Sequence, residues 1–347
     1  MRYSLIVPVY NRPDEVDELL ESLCSQTEKD FEVVIVEDGS QRDCRAIVEK
    51  YADRLDVQYF AKPNSGPGQS RNYGAERARG DYFIVLDSDV VLPRAYIEEV
   101  SRELDREPAD AFGGPDRAHE SFTPVQKAIS YSMTSFFTTG GIRGGKKKLD
   151  KFFPRSFNMG IRRDVYEKLD GFSKMRFGED IDFSYRIVEA GCSTRLFPEA
   201  WVWHKRRTDF RKFFRQVYNS GIARINLMKL HPGTLKLVHL LPMVFTVGVI
   251  ALLLCSAVGR ALMHYDPTHF HRWYLMAALP WIPILLYSLV IFVDSTCKNR
   301  SLRVGLLSVP AAFTQLMGYG FGFLEAWWKR CVRGQDMFTA FEKNFYQ

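Results

Sequence analysis

Hydrophobic positions come in short runs over the first two hundred residues and in long runs after about Leu235. Leu5 to Val9 is a short apolar run that reads as a buried strand, and Asp14 is placed to cap a helix whose Val16, Leu19, Leu20 and Leu23 share one face. The same reading predicts strands over Phe31 to Val36, Val57 to Phe60 and Tyr82 to Leu86, with helices over Cys44 to Tyr51 and Gln69 to Arg77 between them. Strands alternating with helices imply a parallel sheet joined by right-handed crossovers, with ligands at the carboxyl ends of the strands. From Pro108 to Lys151 the periodicity weakens, except for an amphipathic stretch, Val125 to Phe137, carrying Ile129, Tyr131, Met133, Phe136 and Phe137. Such a stripe suits either a core helix or a helix lying on a bilayer. Strand and helix signals then resume over Ser156 to Ile161, Arg163 to Leu169, Ile181 to Ala190 and Thr194 to Phe197.

Beyond a Phe- and Arg-rich helix that ends at His231-Pro232-Gly233, three stretches are almost free of charge: Leu237 to Ala257, Trp273 to Val293 and Val304 to Ala326. Each is long enough to cross a hydrocarbon layer of about 30 Å at about 1.5 Å per residue. Prolines 242, 280, 283 and 310 do not disqualify them, because membrane helices tolerate kinks. The expected organisation is an α/β domain over 1–230, in halves of about 1–107 and 108–230, followed by a membrane domain over 231–347. Loop charge does not settle the topology. Lys298, Arg300 and Arg303 mark the second linker as an inside loop, yet Lys329, Arg330 and Arg333 follow the third segment, which three full crossings would place outside. Either all three segments cross, or one lies in the interface or re-enters.

Charge adds to this picture. The 47 basic and 41 acidic residues give a net +6, concentrated in Lys146-Lys147-Lys148 and in Lys205-Arg206-Arg207 with Arg211, Lys212 and Arg215. Such clusters suit phosphates or anionic headgroups. No nucleic-acid reader motif accompanies them, so nucleic acid is not an expected partner. The six cysteines show no CxxC pair and no metal-ligand spacing, as in a reducing compartment. The N-terminal apolar run is too short for a signal peptide. The expectation is a multi-pass protein of the inner (cytoplasmic) membrane with its α/β domain in the cytoplasm. Oligomeric state has no signal.

Three constellations carry candidate chemistry. The first joins Val7-Pro8-Val9-Tyr10-Asn11-Arg12-Pro13 after one strand to Val36-Glu37-Asp38-Gly39-Ser40 after the next. A carboxylate there can accept a hydrogen bond from a base, with an aromatic ring beside it, although Asp-Gly-Ser is also an ordinary turn. The second is Leu86-Asp87-Ser88-Asp89, whose acids, one residue apart on an extended chain, point the same way and offer hard oxygen ligands to Mg2+ or Mn2+. A bare Asp-x-Asp is also common in turns. The third is Gly178-Glu179-Asp180-Ile181-Asp182, where three acids open a helix, more than capping alone needs. One of them can serve as a general base toward an attacking hydroxyl.

In order and spacing these motifs, together with Gly68-Gln69-Ser70-Arg71-Asn72-Tyr73-Gly74, resemble the inverting glycosyltransferase family 2 over roughly Arg2 to Lys229. The resemblance implies a GT-A fold, a Rossmann-like and mostly parallel sheet wrapped by helices. It implies that Pro8, Tyr10, Asn11 and Asp38 contact the nucleoside of a UDP- or GDP-linked sugar, and that Arg71 holds ribose or phosphate. Asp89 and Asp87 would bind the metal, with His204 reaching metal or diphosphate and Arg206 and Arg207 neutralising the leaving group. Asp180 would be the base, Glu179 its support, and Asn158 a contact to the donor sugar. Where processive members have Gln-x-x-Arg-Trp, this chain has Phe213-Phe214-Arg215-Gln216-Val217-Tyr218, which favours transfer of a single sugar. The acceptor expected from the adjoining membrane segments is lipid-linked or membrane-resident. The alternatives are an inactive sugar-nucleotide-binding scaffold and a processive synthase subunit.

Overall fold

The computed structural model describes residues 1–117, 122–140, 152–175, 177–205, 207–337 and 339–341. In chain order the elements begin β1 (Tyr3–Val9), α1 (Pro13–Cys24), β2 (Phe31–Asp38), α2 (Arg45–Glu49), β3 (Val57–Lys62), α3 (Pro67–Ala75), β4 (Tyr82–Leu86), β5 (Val90–Val91) and α4 (Tyr96–Arg106). They continue β6 (Ala111–Gly113), β7 (Asp116–Arg117), α5 (Pro124–Thr134), α6 (Phe136–Thr139), β8 (Asn158–Arg162), α7 (Arg163–Lys168), α8 (Glu179–Glu189), β9 (Thr194–Leu196) and β10 (Val202–His204). Among the described residues five further α-helices follow: α9 (Phe210–Leu230), α10 (Leu241–Tyr265), α11 (Phe270–Ala278), α12 (Trp281–Asn299) and α13 (Leu302–Trp327). Two compact units result, one of Met1–Glu120 and Lys147–Lys205, the other of Ser121–Lys146 and Arg206–Gln347.

The first unit is an α/β domain around a seven-stranded sheet in the order β3-β2-β1-β4-β8-β6-β9. Strands β1, β2 and β4 are apolar on both faces because helices cover both, as parallel strands require. Leu5, Val7, Val33, Ile35 and Ile84 face α1 through Leu19, Leu20 and Leu23, while Ile6, Val34, Phe83 and Val85 face Phe172 and the α8 residues Phe183 and Ile187. The sheet is mixed rather than purely parallel, because β8 runs antiparallel to both β4 and β6. Because β6 and β8 are antiparallel, the handedness rule for parallel crossovers does not govern that step. Gly160 in β8 leaves room for the Phe112 ring, to which an added Cβ would approach within 2.0 Å. Helix α1 begins one residue before the expected cap. Pro13, with its fixed φ, opens the helix, Arg12 precedes it without a side-chain cap, and Asp14 sits in the first turn, where an acid favours the helix dipole. A smaller sheet, β5-β10-β7, stands beside the first.

The second unit is helical and contains three segments long and apolar enough to cross a membrane: Leu237–Tyr265, Pro267–Asn299 and Leu302–Val332. The middle one is broken between Ala278 and Trp281, where Pro280 cannot continue the helix. The amphipathic stretch near residue 130 is a core helix of this unit. In α5, Ala128 packs on Val304 and Ala311, Tyr131 packs on Ile291 and Ala312, and the Tyr131 hydroxyl bonds Asp294 Oδ2 at 2.6 Å. Helix α9, expected in the α/β domain, lies against α13. An added Cβ on Gly221 would come within 2.2 Å of the Tyr319 carbonyl oxygen, and one on Gly322 within 2.0 Å of that of Tyr218. The small residues permit this close backbone approach.

Candidate active site

The chain leaves β1 toward β2 on one side and later returns to β4 on the other, so the switch point of the sheet lies between β1 and β4. Open α/β sheets bind ligands outside the carboxyl ends of the strands at that point. There the structure brings together Tyr10, Asn11 and Arg12 from β1, Asp38 from β2 and Asp87 to Asp89 from β4.

Pro8 is a partly buried residue of β1 opposite Val36, and Tyr10, 51% exposed, is free to stack on a planar ligand. Asn11 adopts a left-handed conformation at φ 54°, which asparagine tolerates better than most residues. Its N–H donates to Ser40 Oγ (2.7 Å), and its Oδ1 accepts from the N–H groups of Gln41 (2.8 Å) and Arg42 (3.1 Å), stitching the first strand end to the second. Asp38 is buried. Its carboxylate accepts from the N–H groups of Ser65 (2.9 Å) and Gly66 (3.0 Å) and from Lys62 Nζ (2.5 Å), and so it fixes the loop that opens α3.

Asp87, Asp89 and His204 each offer one ligand atom, and these atoms lie within 4.8 Å of one another. The register of β10 explains how a residue more than a hundred positions away arrives there. His204 pairs with Val90 in β5, and the Lys205 N–H donates to the Asp89 carbonyl (3.1 Å). His204 Nε2 then stands 3.2 Å from Asp89 Oδ1 and 3.9 Å from Asp87 Oδ2, with its ring stacked on Phe157. Two hard carboxylates and an imidazole form a donor set that fits Mn2+, and Mg2+ less closely because of the nitrogen. The Arg12 guanidinium donates from Nη1 to Asp89 Oδ2, putting a cation on the same carboxylate.

Arg71 on α3 joins this cluster to the third motif. It is 3% exposed and lies over the Phe172 ring, donating from Nη2 to Asp87 Oδ1 and from Nη1 to Glu179 Oε1, both at 2.9 Å. Gly68 allows α3 to lie this close, since an added Cβ would stand 3.2 Å from Glu179 Cγ. Glu179 and Asp180 open α8 after Gly178, whose φ of 84° suits glycine. Burial pushes the Glu179 carboxyl up to about 7, with Arg71 pulling it down and Asp180 pushing it up. Burial would raise Asp180 as well, but the Arg155 guanidinium, donating from Nε at 2.7 Å, outweighs this and holds it below the ordinary range.

Of the remaining expected residues, Asn158 is held by the protein itself. Asn158 is 1% exposed and its amide is filled by protein on both sides: Nδ2 donates to the Ala200 carbonyl (2.8 Å) and Oδ1 accepts from the Tyr96 hydroxyl (2.5 Å). Lys205 pairs with Glu18 at 2.7 Å. Arg207 belongs to the second unit, and Arg206 and the triplet Lys146-Lys147-Lys148 lie outside the described residues. The sequence reading missed Arg12 and Arg155 as members of the site.

Residues 4–170 match the family described as Glycosyl transferase family 2. An uncharacterised glycosyltransferase of Haemophilus influenzae is 31% identical over 193 residues, covering 54% of this chain and 62% of its own length. The poly(ribitol-phosphate) beta-N-acetylglucosaminyltransferase TarS of Staphylococcus aureus is 34% identical over 114 residues, covering 32% of this chain and 20% of TarS. Matched segments thus span less than two thirds of these curated relatives. Among solved structures, the mannosyltransferase PcManGT from Pyrobaculum calidifontis in complex with GDP-Man and Mn2+ is similar in fold, with a TM-score of 0.57 at 16% identity, covering 95% of this chain and 88% of that one.

Proposed function

We propose, from the match of residues 4–170 to Glycosyl transferase family 2, that the protein is a metal-dependent inverting glycosyltransferase. It moves one sugar from a UDP- or GDP-linked donor to a lipid-linked or membrane-resident acceptor at the cytoplasmic face of the inner membrane. The observation that carries this reading is the meeting of Asp87, Asp89 and His204 in one ligand-sized cluster, tied through Arg71 to Glu179, the neighbour of the proposed base.

Asp87, Asp89 and His204 would hold Mn2+ or Mg2+, which when bound supplies positive charge against a diphosphate leaving group. The protein's own residues do the rest. Tyr10 stacks on the base, and Arg12, released from Asp89, turns toward phosphate. Asp180 is ionised at neutral pH because Arg155 faces it, and it takes the proton of the acceptor hydroxyl as that oxygen attacks the anomeric carbon. Glu179 supports it by clamping Arg71, which in turn fixes Asp87. Asn158 shapes the wall, since both atoms of its amide have protein partners, while Asp38, whose carboxylate accepts three bonds from the α3 loop and Lys62, keeps an acceptor site for the base. Three apolar helices after the α/β unit support a membrane-resident acceptor.

The test incubates the purified full chain in detergent with Mn2+ and a panel of nucleotide sugars, reading thermal shift and slow donor turnover. At least one UDP- or GDP-sugar should stabilise the protein only with metal present. Asp180→Asn should abolish transfer and keep that stabilisation. No stabilisation by any donor would defeat the proposed function, and loss of binding and transfer together in Asp180→Asn would defeat the base assignment.

A further inference from the structure

Length and composition qualify three segments of the second unit for crossing a membrane, but the third is packed unlike the others. In the most apolar stretches of Leu237–Tyr265 and Pro267–Asn299, 11% and 17% of residues are buried, against 44% in Leu302–Val332. The first two show apolar side chains to their surroundings on most sides, as helices alone in lipid do. The exposed residues of the third, Leu302, Arg303, Leu306, Pro310, Phe321 and Trp327 with the following Trp328, fall on one stripe. At about 100° per residue they occupy about a third of the helix circumference.

The other sides of α13 are covered, and the cover is polar on its far surface. Helix α9 packs along α13 from Phe210, near Val304, to Asn226, whose Oδ1 accepts from Arg330 Nε at 2.9 Å. It carries exposed Arg211, Lys212, Arg215 and Lys229. If α13 crossed the hydrocarbon layer, α9 would have to cross beside it, yet Arg211, Lys212, Arg215, Arg224 and Lys229 leave α9 no apolar run long enough to do so.

The level of the helices agrees. The centre of α13 meets the entry of α10: Thr246 Oγ1 donates to the Leu316 carbonyl at 3.3 Å, and an added Cβ on Gly320 would stand 2.7 Å from the Pro242 carbonyl. Two crossing helices would instead have their centres level. The far half of α10 is packed by α11, with Ser256 Oγ donating to the Ala277 carbonyl at 2.8 Å.

We propose that α13 lies in the plane of the membrane surface, its exposed stripe in the boundary between headgroups and acyl chains and α9 on its aqueous side. The second unit then crosses the bilayer twice, through α10 and through α11–α12, and its C-terminal tail returns to the side from which α10 enters. Positive charge is thereby gathered on one side: Lys298, Arg300 and Arg303 after α12, and Lys329, Arg330 and Arg333 after α13.

Two native cysteines report on this directly, Cys297 at the end of α12 and Cys331 beyond α13, both exposed. The full chain in sealed membrane vesicles of either orientation is treated with an impermeant maleimide, and modification of each cysteine is read by mass spectrometry. Both should be modified from the same face and both lose modification from the other, while a cysteine introduced at the α10–α11 turn by Thr268→Cys reacts only from the opposite face. Modification of Cys331 from the face opposite Cys297 would overturn the proposal. If Cys331 is shielded, a side-specific reporter fused after Gln347 decides: activity on the Cys297 face supports the in-plane helix, and activity on the other face refutes it.

Discussion

Replacing Arg12 by glutamine should tighten binding of Mn2+ to the nucleotide-free protein. In the structure the Arg12 guanidinium sits on Asp89 Oδ2, while Asp89 Oδ1 faces His204 and Asp87. A divalent ion at that cluster must either displace Arg12 or accept a like charge beside it, and both costs fall on metal binding. A hydrogen bond to a charged group contributes about 1.5–3 kcal/mol net, so removing it should tighten Mn2+ binding by about 10- to 150-fold. Glutamine retains much of the side-chain volume and a neutral donor, and Asp89 is only 6% exposed, so the pocket stays closed. Free Mn2+ measured by electron paramagnetic resonance during a titration reads the change without reference to activity. With a nucleoside diphosphate present the sign should reverse. Arg12 is then an attractive neighbour of phosphate, and Arg12→Gln should weaken the ternary complex. Unchanged or weaker Mn2+ affinity in the nucleotide-free variant would refute the competition between Arg12 and the ion.

Glu179 gives a pH signature. Its carboxyl sits at about 7 in the folded protein against 4.5 ordinarily, so the unfolded chain ionises first and stability falls as pH rises through that window, by roughly 3 kcal/mol in all. Thermal unfolding of Glu179→Gln in detergent should show a correspondingly flatter decline between about pH 4.5 and 7, and an identical pH slope would sink the assignment. Gly160→Ala should destabilise the protein by at least about 1–3 kcal/mol, because the new Cβ meets the Phe112 ring at 2.0 Å between two strands that cannot part. A melting temperature within error of wild type would contradict that packing. Gly221→Leu should lower the melting temperature in the same way by forcing α9 off α13, and an unshifted melt would argue against the close helix pair.

How much of this was legible in the sequence depended on the range of the interaction. Strands β1, β2 and β4 were visible because burial on both faces writes an unbroken apolar run. The three membrane-length segments were visible because their apolar runs are long and nearly free of charge. Helix α4 was missed although Tyr96, Ile97, Val100 and Leu104 repeat at helical spacing, because charged residues separate them and mask the run. Strands β5, β6, β7 and β10 have only two or three residues each, too few for any periodicity. The acids of the site could be read because uncompensated carboxylates at strand ends are costly without a purpose. Their partners could not. Arg12 and Arg155 look like any surface arginine until the fold brings Arg12 to Asp89, 77 positions away, and Arg155 to Asp180, 25 away. Asn158 shows the converse: a polar residue beside the site whose amide the fold had already used.

Those arginines change the electrostatics that the acids alone suggested. Among the described residues, Asp87, Asp89, Glu179 and Asp180 face Arg12, Arg71 and Arg155, so four carboxylates meet three guanidiniums, a balance of one negative. With Glu179 protonated, as it is below about pH 7, the balance is zero. A neutral cluster attracts neither a bare cation nor a bare diphosphate strongly, and it accepts the two together because their charges largely cancel. Metal and nucleotide should therefore bind cooperatively in the intact protein. Arg12→Gln breaks that balance by leaving the cluster one charge more negative, which is why the same substitution should favour the lone cation and disfavour the pair. Calorimetric titration of Mn2+ with and without nucleoside diphosphate should show the coupling shrink in the variant, and equal coupling in the two proteins would show that charge balance does not set it.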